Sequence, residues 1–276
     1  TAYYKGESLP KGFRPRQTVY TTYDTKLHTW APAQILELPD NPPAFRSSGA
    51  GCCQRVDLPN GEILLPMYLI NFSDTRGHEY CSTVVRCTFD GTEMKYIEHG
   101  NIASVPAGSG LVETSLTEFQ GRYYINYRNK LCGYVASSDD GLHFDLPLVL
   151  RFENGEEVGT YNTQRHWVRR DDSLYMVYNR RGLNNAHVFR QRGPVLMAQF
   201  DVEQMCLLRD TERVLIPERG ARTGNFGVTY VDENEIWVTA AEWMQNGGAA
   251  ARTMLEKLGK RKPSDPWPPK VITQDY

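Results

Sequence analysis

The sequence predicts an all-β fold, a propeller of four-stranded blades. A strand–turn–strand unit recurs four times along the chain, a shorter turn pattern built on Asp and Gly is interleaved with it, and no helical periodicity competes before residue 247. Asn-Gly and Asp-rich turns between β-branched and aromatic runs are strong hairpin signals. The copies begin roughly 50–60 residues apart, about the length of one blade.

The first copy runs from residues 53–58 through Pro59-Asn60-Gly61 into 62–70, and the second from 113–119 through Gln120-Gly121 into 122–127. The third pairs 162–168 with 174–179 around Arg170-Asp171-Asp172, and the fourth pairs 225–231 with 235–241 across Asp232-Glu233-Asn234. Strands at both ends of the chain raise the expectation to five blades, or six in a longer parent. The propeller is therefore placed at residues 1–246. Residues 247–276 read as a loop, a short helix and a Pro-rich tail that takes part in blade closure.

The interleaved element is Ser137-Ser138-Asp139-Asp140-Gly141-Leu142-His143-Phe144, which follows the pattern S-x-D-x-G-x-x-[W/F]. In such a turn Ser and Asp bond backbone amides, Gly supplies positive φ, and the aromatic fills the space beneath. The expectation is that Asp139 makes those bonds. Looser copies begin at Thr22-Tyr23-Asp24 and at Thr88, the latter continuing through Asp90-Gly91 to Tyr96.

At 276 residues the chain can bury a full core, and its 40% hydrophobic and 23% charged residues are ordinary for a globular protein. A net charge of −2 gives no global field for nucleic acid or an anionic membrane, so neither partner is expected. No apolar run reaches the ~20 residues of a membrane-spanning helix. Arginine far outnumbers lysine, which suits two-bond recognition of an acidic ligand. The six cysteines show no CxxC pair and read mostly as small buried residues. His166, His187 and Cys132 have no ligand spacing, so no metal and no cofactor are expected. The chain opens on Thr1, consistent with a trimmed leader, and a secreted or periplasmic location is favoured over the cytoplasm.

Propeller geometry turns the repeat into a map of the site. The turn joining the first two strands of each blade lies on one face of the disc, so first-strand starts and second-strand ends share the other. At the starts stand Gln54 and Arg55, Glu113 and Thr114, Gln164, Arg165 and His166, and Arg222 and Asn225. At the ends stand Tyr68 and Asn71, Tyr127, Arg128 and Asn129, Asn179, Arg180 and Arg181, and Glu242. Polar groups gathered at one end of closed β structure are where ligand sites form. Arg128, Arg180 and Arg222 come from three blades and are expected to surround one carboxylate. Gln164, Arg181, Asn225, His187 and Arg190 are further candidates for contacting substrate, the last two from the Arg- and Asn-rich loop 181–194. Glu113 and Glu242 are candidate proton donor and base, with His166 and Tyr161 as additional catalytic candidates. Each has an ordinary alternative: a rim arginine also pairs with a neighbouring blade's acid, and a histidine also serves as packing.

The box at 137–144 and its weaker copies resemble the Asp-box (BNR-repeat) sialidase superfamily. Several runs resemble bacterial sialidase-like proteins. These are Tyr161-Asn162-Thr163-Gln164 with His166-Trp167, Arg180-Arg181-Gly182 with Asn185, and His187-Val188-Phe189-Arg190. Pro217-Glu218-Arg219-Gly220-Ala221-Arg222, Gly224-Asn225-Phe226-Gly227 and Ala241-Glu242-Trp243-Met244 extend the likeness over roughly residues 20–245. The resemblance implies the propeller fold and an arginine cluster that grips a carboxylate. It also implies a Tyr nucleophile assisted by Glu, for which Tyr127 and Tyr161 are candidates. One departure stands out: the Phe/Tyr-Arg-Ile-Pro motif of sialidases is replaced by Ala50-Gly51-Cys52-Cys53, and Phe45-Arg46 lies upstream.

Three functions follow as alternatives. The leading one is an exo-acting glycoside hydrolase on an acidic oligo- or polysaccharide. The second is a lyase on uronic acid polymers, with His166 or His187 as base. The third is a non-catalytic glycan-binding propeller.

Overall fold

The computed structural model describes residues 3–4, 7–8, 16–41, 43–70, 80–160 and 162–244. Among these there is no α-helix, only strands and three single turns of 3-10 helix. The fold is a β-propeller. Its first full blade runs Met94–His99, Tyr80–Phe89, Ile63–Ile70 and an inner edge shared by Ser48–Gly49 and Val56–Asp57. The second orders Val112–Phe119, Arg122–Arg128, Gly133–Ser138 and Leu148–Val149 outward from the axis. The third repeats this with His166–Arg170, Ser173–Tyr178, Val195–Asp201 and Cys206–Leu207, and Arg213–Ile216 also pairs its third strand. A fourth is the hairpin Phe226–Tyr230 with Ile236–Ala240, next to the pair Ala221–Arg222 and Trp243–Met244. Short pairs within residues 19–35 precede the first blade. The expected tail at 247–276 lies outside the described residues.

Alternation along each strand sends one set of side chains to each neighbouring blade, so the core is a series of seams. Leu64 and Val84 meet Leu116, Ile125 and Tyr127 between the first and second blades. Tyr124 and Val135 meet Trp167, Met176 and Phe200 between the second and third. Val177 and Val195 meet Phe226 between the third and fourth. Each such side chain, fully buried, stabilises the fold by ~1.5–3 kcal/mol.

The inner hairpins turn as their residues dictate. Gln120 and Gly121 both take positive φ, at 52° and 77°, the primed turn that matches strand twist. The interleaved Asp turn holds the chain after Gly133–Ser138, but through different atoms from those expected. Asp140 Oδ1 accepts from the amides of Leu142 and His143 at 2.8 and 2.7 Å, and Ser138 Oγ accepts from Gly141 N at 3.0 Å. Asp139 points to solvent and meets Arg122 Nε at 2.9 Å. The reason is register: Ser138 is the last paired residue, so the first side chain able to reach back over the turn belongs to Asp140. Asp24, Asp90, Asp201 and Asp232 accept from the same two amides, at i+2 and i+3, in their own turns.

Candidate functional site

The site begins with an irregularity in the second blade. Val112 pairs with Arg128 but Ser115 pairs with Asn126, so one extra residue is inserted in the inner strand. Such a bulge re-aims a side chain. Here it puts Glu113 at φ 47° and brings its carboxylate onto the Arg128 guanidinium as an ion pair. Arg128 Nη2 also donates to Asn162 Oδ1 at 2.6 Å. Asn162 has φ 49°, a conformation that Asn tolerates better than most residues. Its carbonyl accepts from Arg192 Nη2 at 2.7 Å.

Arg192 belongs to the loop 181–194 of the third blade. Buried Asn185 pins that loop by donating to the carbonyls of Arg180 and Gly193 at 2.9 and 2.7 Å. Thr223 N, in turn, donates to Arg192 O at 2.5 Å. Gly224 is needed for the approach, since a Cβ there would lie 2.4 Å from Arg192 Cδ. Burial, and then the positive charges of Arg128 and Arg190, lower Arg192 to about 10, with Arg222 adding to the same effect and Glu113 opposing it. Three guanidiniums and one carboxylate thus act on Arg192 at the rim.

Two of these four guanidiniums have an unmet need. The Nε atoms of Arg192 and Arg222 are buried and donate to nothing among the described residues. A buried donor left unpaired costs ~1–3 kcal/mol, and an anion with two or more acceptor oxygens removes that cost. Arg222 is held by stacking: its Cζ lies 4.0 Å from the Trp243 ring centre and 5.0 Å from that of Phe189. Cys52, exposed and at φ 59°, and Tyr68 lie within the electrostatic reach of Glu113. Tyr68 is raised by burial, packs edge-on to Tyr80 and also feels Arg16, whose Nη2 donates to Tyr80 Oη at 2.8 Å. Cys52, Glu113, Asn162, Arg190 and Gln191 all take positive φ. Such outliers concentrate at ligand sites, where the surroundings fix them.

Among the expected residues, Glu113 and Arg128 are thus paired, and Arg190 and Arg222 approach the same Phe189 ring and act with them on Arg192. Other candidates do not join them. Arg180 turns away from this cluster into a buried two-bond pair with Glu212, at 2.7 Å for both Nε–Oε1 and Nη2–Oε2, with Tyr178 Oη also donating to Glu212 at 2.6 Å. Arg181 is exposed and reaches Leu131 O at 3.2 Å. His187 meets Glu218 at 3.0 Å. Gln164 and His166 are buried between blades, where both bond the carbonyl of Phe226 and His166 Nδ1 meets Ser115 Oγ at 2.9 Å. Burial lowers His166 to about 4, so its ring is neutral at ordinary pH. Tyr127 is sealed in the core, and burial drives its phenol far above the usual range. Asn225 and Glu242 are exposed, and neither side chain bonds the cluster among the described residues. Tyr161 lies outside the described residues.

Sequence reasoning missed Arg192, Arg16 and the bridging part of Asn162. Arg192 had a signal, because the loop 181–194 is rich in Arg. Arg16 precedes the first recognisable repeat and carried none. Surface hollows of about 350 and 570 Å³ occur elsewhere, the first around Phe119, Gln120, Asp171 and Tyr230 at the hairpin turns and the second along the outer strands near Ser137 and Leu148.

No protein-family model matches the sequence, and no curated protein matches it. Solved structures do share its fold. One is a Bombyx mori GH32 β-fructofuranosidase, at 13% identity and a TM-score of 0.52 over 77% of this chain and 46% of that one. The Trypanosoma rangeli sialidase in complex with sialic acid matches at 14% identity and a TM-score of 0.50, over 83% of this chain and 36% of that one. The same sialidase with the inhibitor DANA matches at 13% identity and a TM-score of 0.50, over 80% and 35%. The chain spans less than half the length of each. At these identities the likeness establishes a fold held in common with propeller glycoside hydrolases and does not extend to the reaction.

Proposed function

We propose that this chain is a carbohydrate-active propeller of the sialidase-like kind whose turn-distal rim binds the carboxylate of an acidic sugar. One observation carries the reading: the charges of Arg128, Arg190 and Arg222 all bear on Arg192, Glu113 pairs with Arg128, and Arg192 and Arg222 hold buried donors without acceptors among the described residues. A sugar carboxylate supplies both the charge and the oxygens. Guanidinium pairs with carboxylate in two parallel bonds, which fixes orientation as well as affinity.

The activity supported best is exo-acting glycoside hydrolysis, with Glu113 moving the proton. Its bulge-set position beside Arg128 puts its carboxylate on the rim, and Tyr68 is a nearby hydroxyl within its electrostatic reach. The lyase reading loses one of its two candidate bases, because His166 is buried with both ring nitrogens occupied, and keeps His187, which meets Glu218. The binder reading gains from one observation, that Glu113 is already paired with Arg128.

Calorimetry with glucuronic acid, N-acetylneuraminic acid and glucose tests the site. Either acid should bind and glucose should not, and Arg192→Met should weaken the acid at least ~10-fold. Equal binding of glucose, or an unaffected Arg192→Met, overturns the anion site. Incubation with acidic oligosaccharides then separates the chemistry: new reducing ends mean hydrolysis, a UV-absorbing unsaturated product means elimination, and neither means a binder.

A further inference from the structure

We propose that the seam between the second and third blades holds a small monovalent anion of halide size, bound by Arg165 and Asn126 and separate from the rim arginines. Arg165 is fully buried, yet the acceptors it meets among the described residues are neutral: Nη2 donates to Tyr127 O, and Nη1 to Thr160 Oγ1 and Thr163 O at 3.3 and 3.5 Å. The carboxylate whose charge reaches it, Glu113, is already paired with Arg128, and the Arg128 charge bears on Arg165 as well. Burial lowers the guanidinium to about 10, so it keeps its proton at neutral pH. A charge inside a protein is strongly disfavoured unless a counter-charge stands beside it.

Register brings Asn126 next to this charge. Asn126 and Arg128 project from one face of Arg122–Arg128, and their cross-strand partners are Val135 and Gly133. That face is turned to the third blade, since Val135 shares an apolar cluster with Trp167. The Arg165 guanidinium rests on Gly133, where a Cβ would come within 3.0 Å of Cζ, one diagonal step from Asn126. Asn126 is fully buried, and its Nδ2 and Oδ1, like Arg165 Nε, have no partner among the described residues. These groups suit an anion better than water alone. Nε and the amide N–H both donate, and only an anion answers the charge. One water beside it donates to the anion and to Asn126 Oδ1, which gives each of the three atoms a partner. Close packing of the seam limits the anion to the size of a halide.

The test is halide-dependent stability. Melting temperature is measured against potassium chloride and potassium bromide, with potassium methanesulfonate, whose anion is too large for the seam, at matched ionic strength. In the wild type the halides should raise it about 3–6 °C more than methanesulfonate at about 0.5 M, as a dissociation constant of about 50 mM gives for a chain of this size. Arg192→Met should keep that response, which separates the seam from the rim. Asn126→Leu should lose most of it and should be at least as stable as the wild type without halide, because it deletes two unpartnered atoms. Arg165→Met should lose it too, and where that variant fails to fold, Asn126→Leu decides. Anomalous scattering from crystals grown in bromide should show a peak beside Arg165 Nε. Equal responses to halide and methanesulfonate overturn the site. So does a halide response that is intact in Asn126→Leu or abolished by Arg192→Met. Bromide found at the rim arginines alone, with water in the seam, overturns it as well.

Discussion

Arg128 and Arg192 are held side by side by the two oxygens of one residue: Asn162 Oδ1 accepts from Arg128 Nη2 at 2.6 Å, and Asn162 O accepts from Arg192 Nη2 at 2.7 Å. Two guanidiniums at such range repel, and they stay because a neutral bridge satisfies one donor on each. Arg128 Nη1 pairs with Glu113, and Arg192 Nε is buried without an acceptor among the described residues. Arg128 comes from the second blade and Arg192 and Asn162 from the third, so the bridge also fixes the width of the gap between blades.

Removing half of the bridge should show its worth. Asn162→Gly keeps the left-handed backbone and the carbonyl to Arg192 but deletes the acceptor for Arg128. It should weaken binding of an acidic sugar about 5–30-fold with little change in melting temperature, because a charge-assisted hydrogen bond contributes ~1–2 kcal/mol. Asn162→Val should in addition destabilise the protein, by ~1–2 kcal/mol, since a β-branched residue resists φ 49°. Calorimetry and thermal melts on the two variants separate these effects. Unchanged affinity in Asn162→Gly would remove the bridge from the site.

Arg180 and Arg192 look alike in sequence and should behave in opposite ways. Arg180→Met strands the Glu212 carboxylate, which lies half-buried beside Tyr178 and would lose its two-bond partner. Breaking such a pair costs ~3–5 kcal/mol, and a urea titration should show it while the folded fraction still binds ligand. Arg192→Met should leave stability level or raise it, by relieving repulsion and a buried unpaired donor, and should lose binding. Burial raises Glu212, but the Arg180 and Tyr178 hydrogen bonds outweigh it and hold the carboxyl below its ordinary value. The pair's contribution is therefore full above the ordinary carboxylate range and lost as the pH falls through and below it.

The repeats made the fold legible, because Asn60-Gly61, Gln120-Gly121 and the Asp-centred turns are local chemistry that sequence states directly. They also placed Glu113 and Arg128 correctly, at the start and end of one hairpin. Which way a rim arginine points was not legible. Arg180 precedes the loop 181–194 and Arg192 lies within it, and the choice between them rests on Glu212 and on Gly224, each distant in sequence. The bulge at Glu113 was hidden for a similar reason: a one-residue insertion is visible only against its partner strand. The same holds one residue at a time for Asp139 and Asp140, where register decided.

That last distinction is testable on stability alone. Asp140→Ala removes the acceptor for two amides and frees the Ser138 turn, and should cost ~1–2 kcal/mol. Asp139→Ala deletes an exposed contact to Arg122 and should change stability by no more than ~0.5 kcal/mol. Neither should alter glycan binding. Equal losses in chemical denaturation would show that the turn depends on both carboxylates.

His166 should act as an acid sensor of the fold and have no part in turnover. Its Nε2 donates to Phe226 O at 3.1 Å and its Nδ1 accepts from Ser115 Oγ at 2.9 Å, so the fourth, third and second blades meet at one neutral ring. Protonation would set a second N–H against the Ser115 hydroxyl and place a charge in a buried seam near Arg165. Burial first, and then Arg165, lower the ring from 6.5 to about 4. The unfolded chain takes up the proton at about 6.5 and the folded one only near 4, so the unfolded state binds more protons between these values and acid favours unfolding there. Stability should be level above pH 6.5 and fall by ~3 kcal/mol between pH 6.5 and 4, from a shift of this size at ~1.4 kcal/mol per pH unit. His166→Gln, which offers an amide to Phe226 O without titrating, should start less stable and lose that slope. Denaturation curves measured at intervals from pH 4 to 8 on both proteins isolate the difference. If turnover or binding in the wild type instead follows a titration near 6.5 that disappears in His166→Gln while the stability curves coincide, the histidine belongs to the site after all.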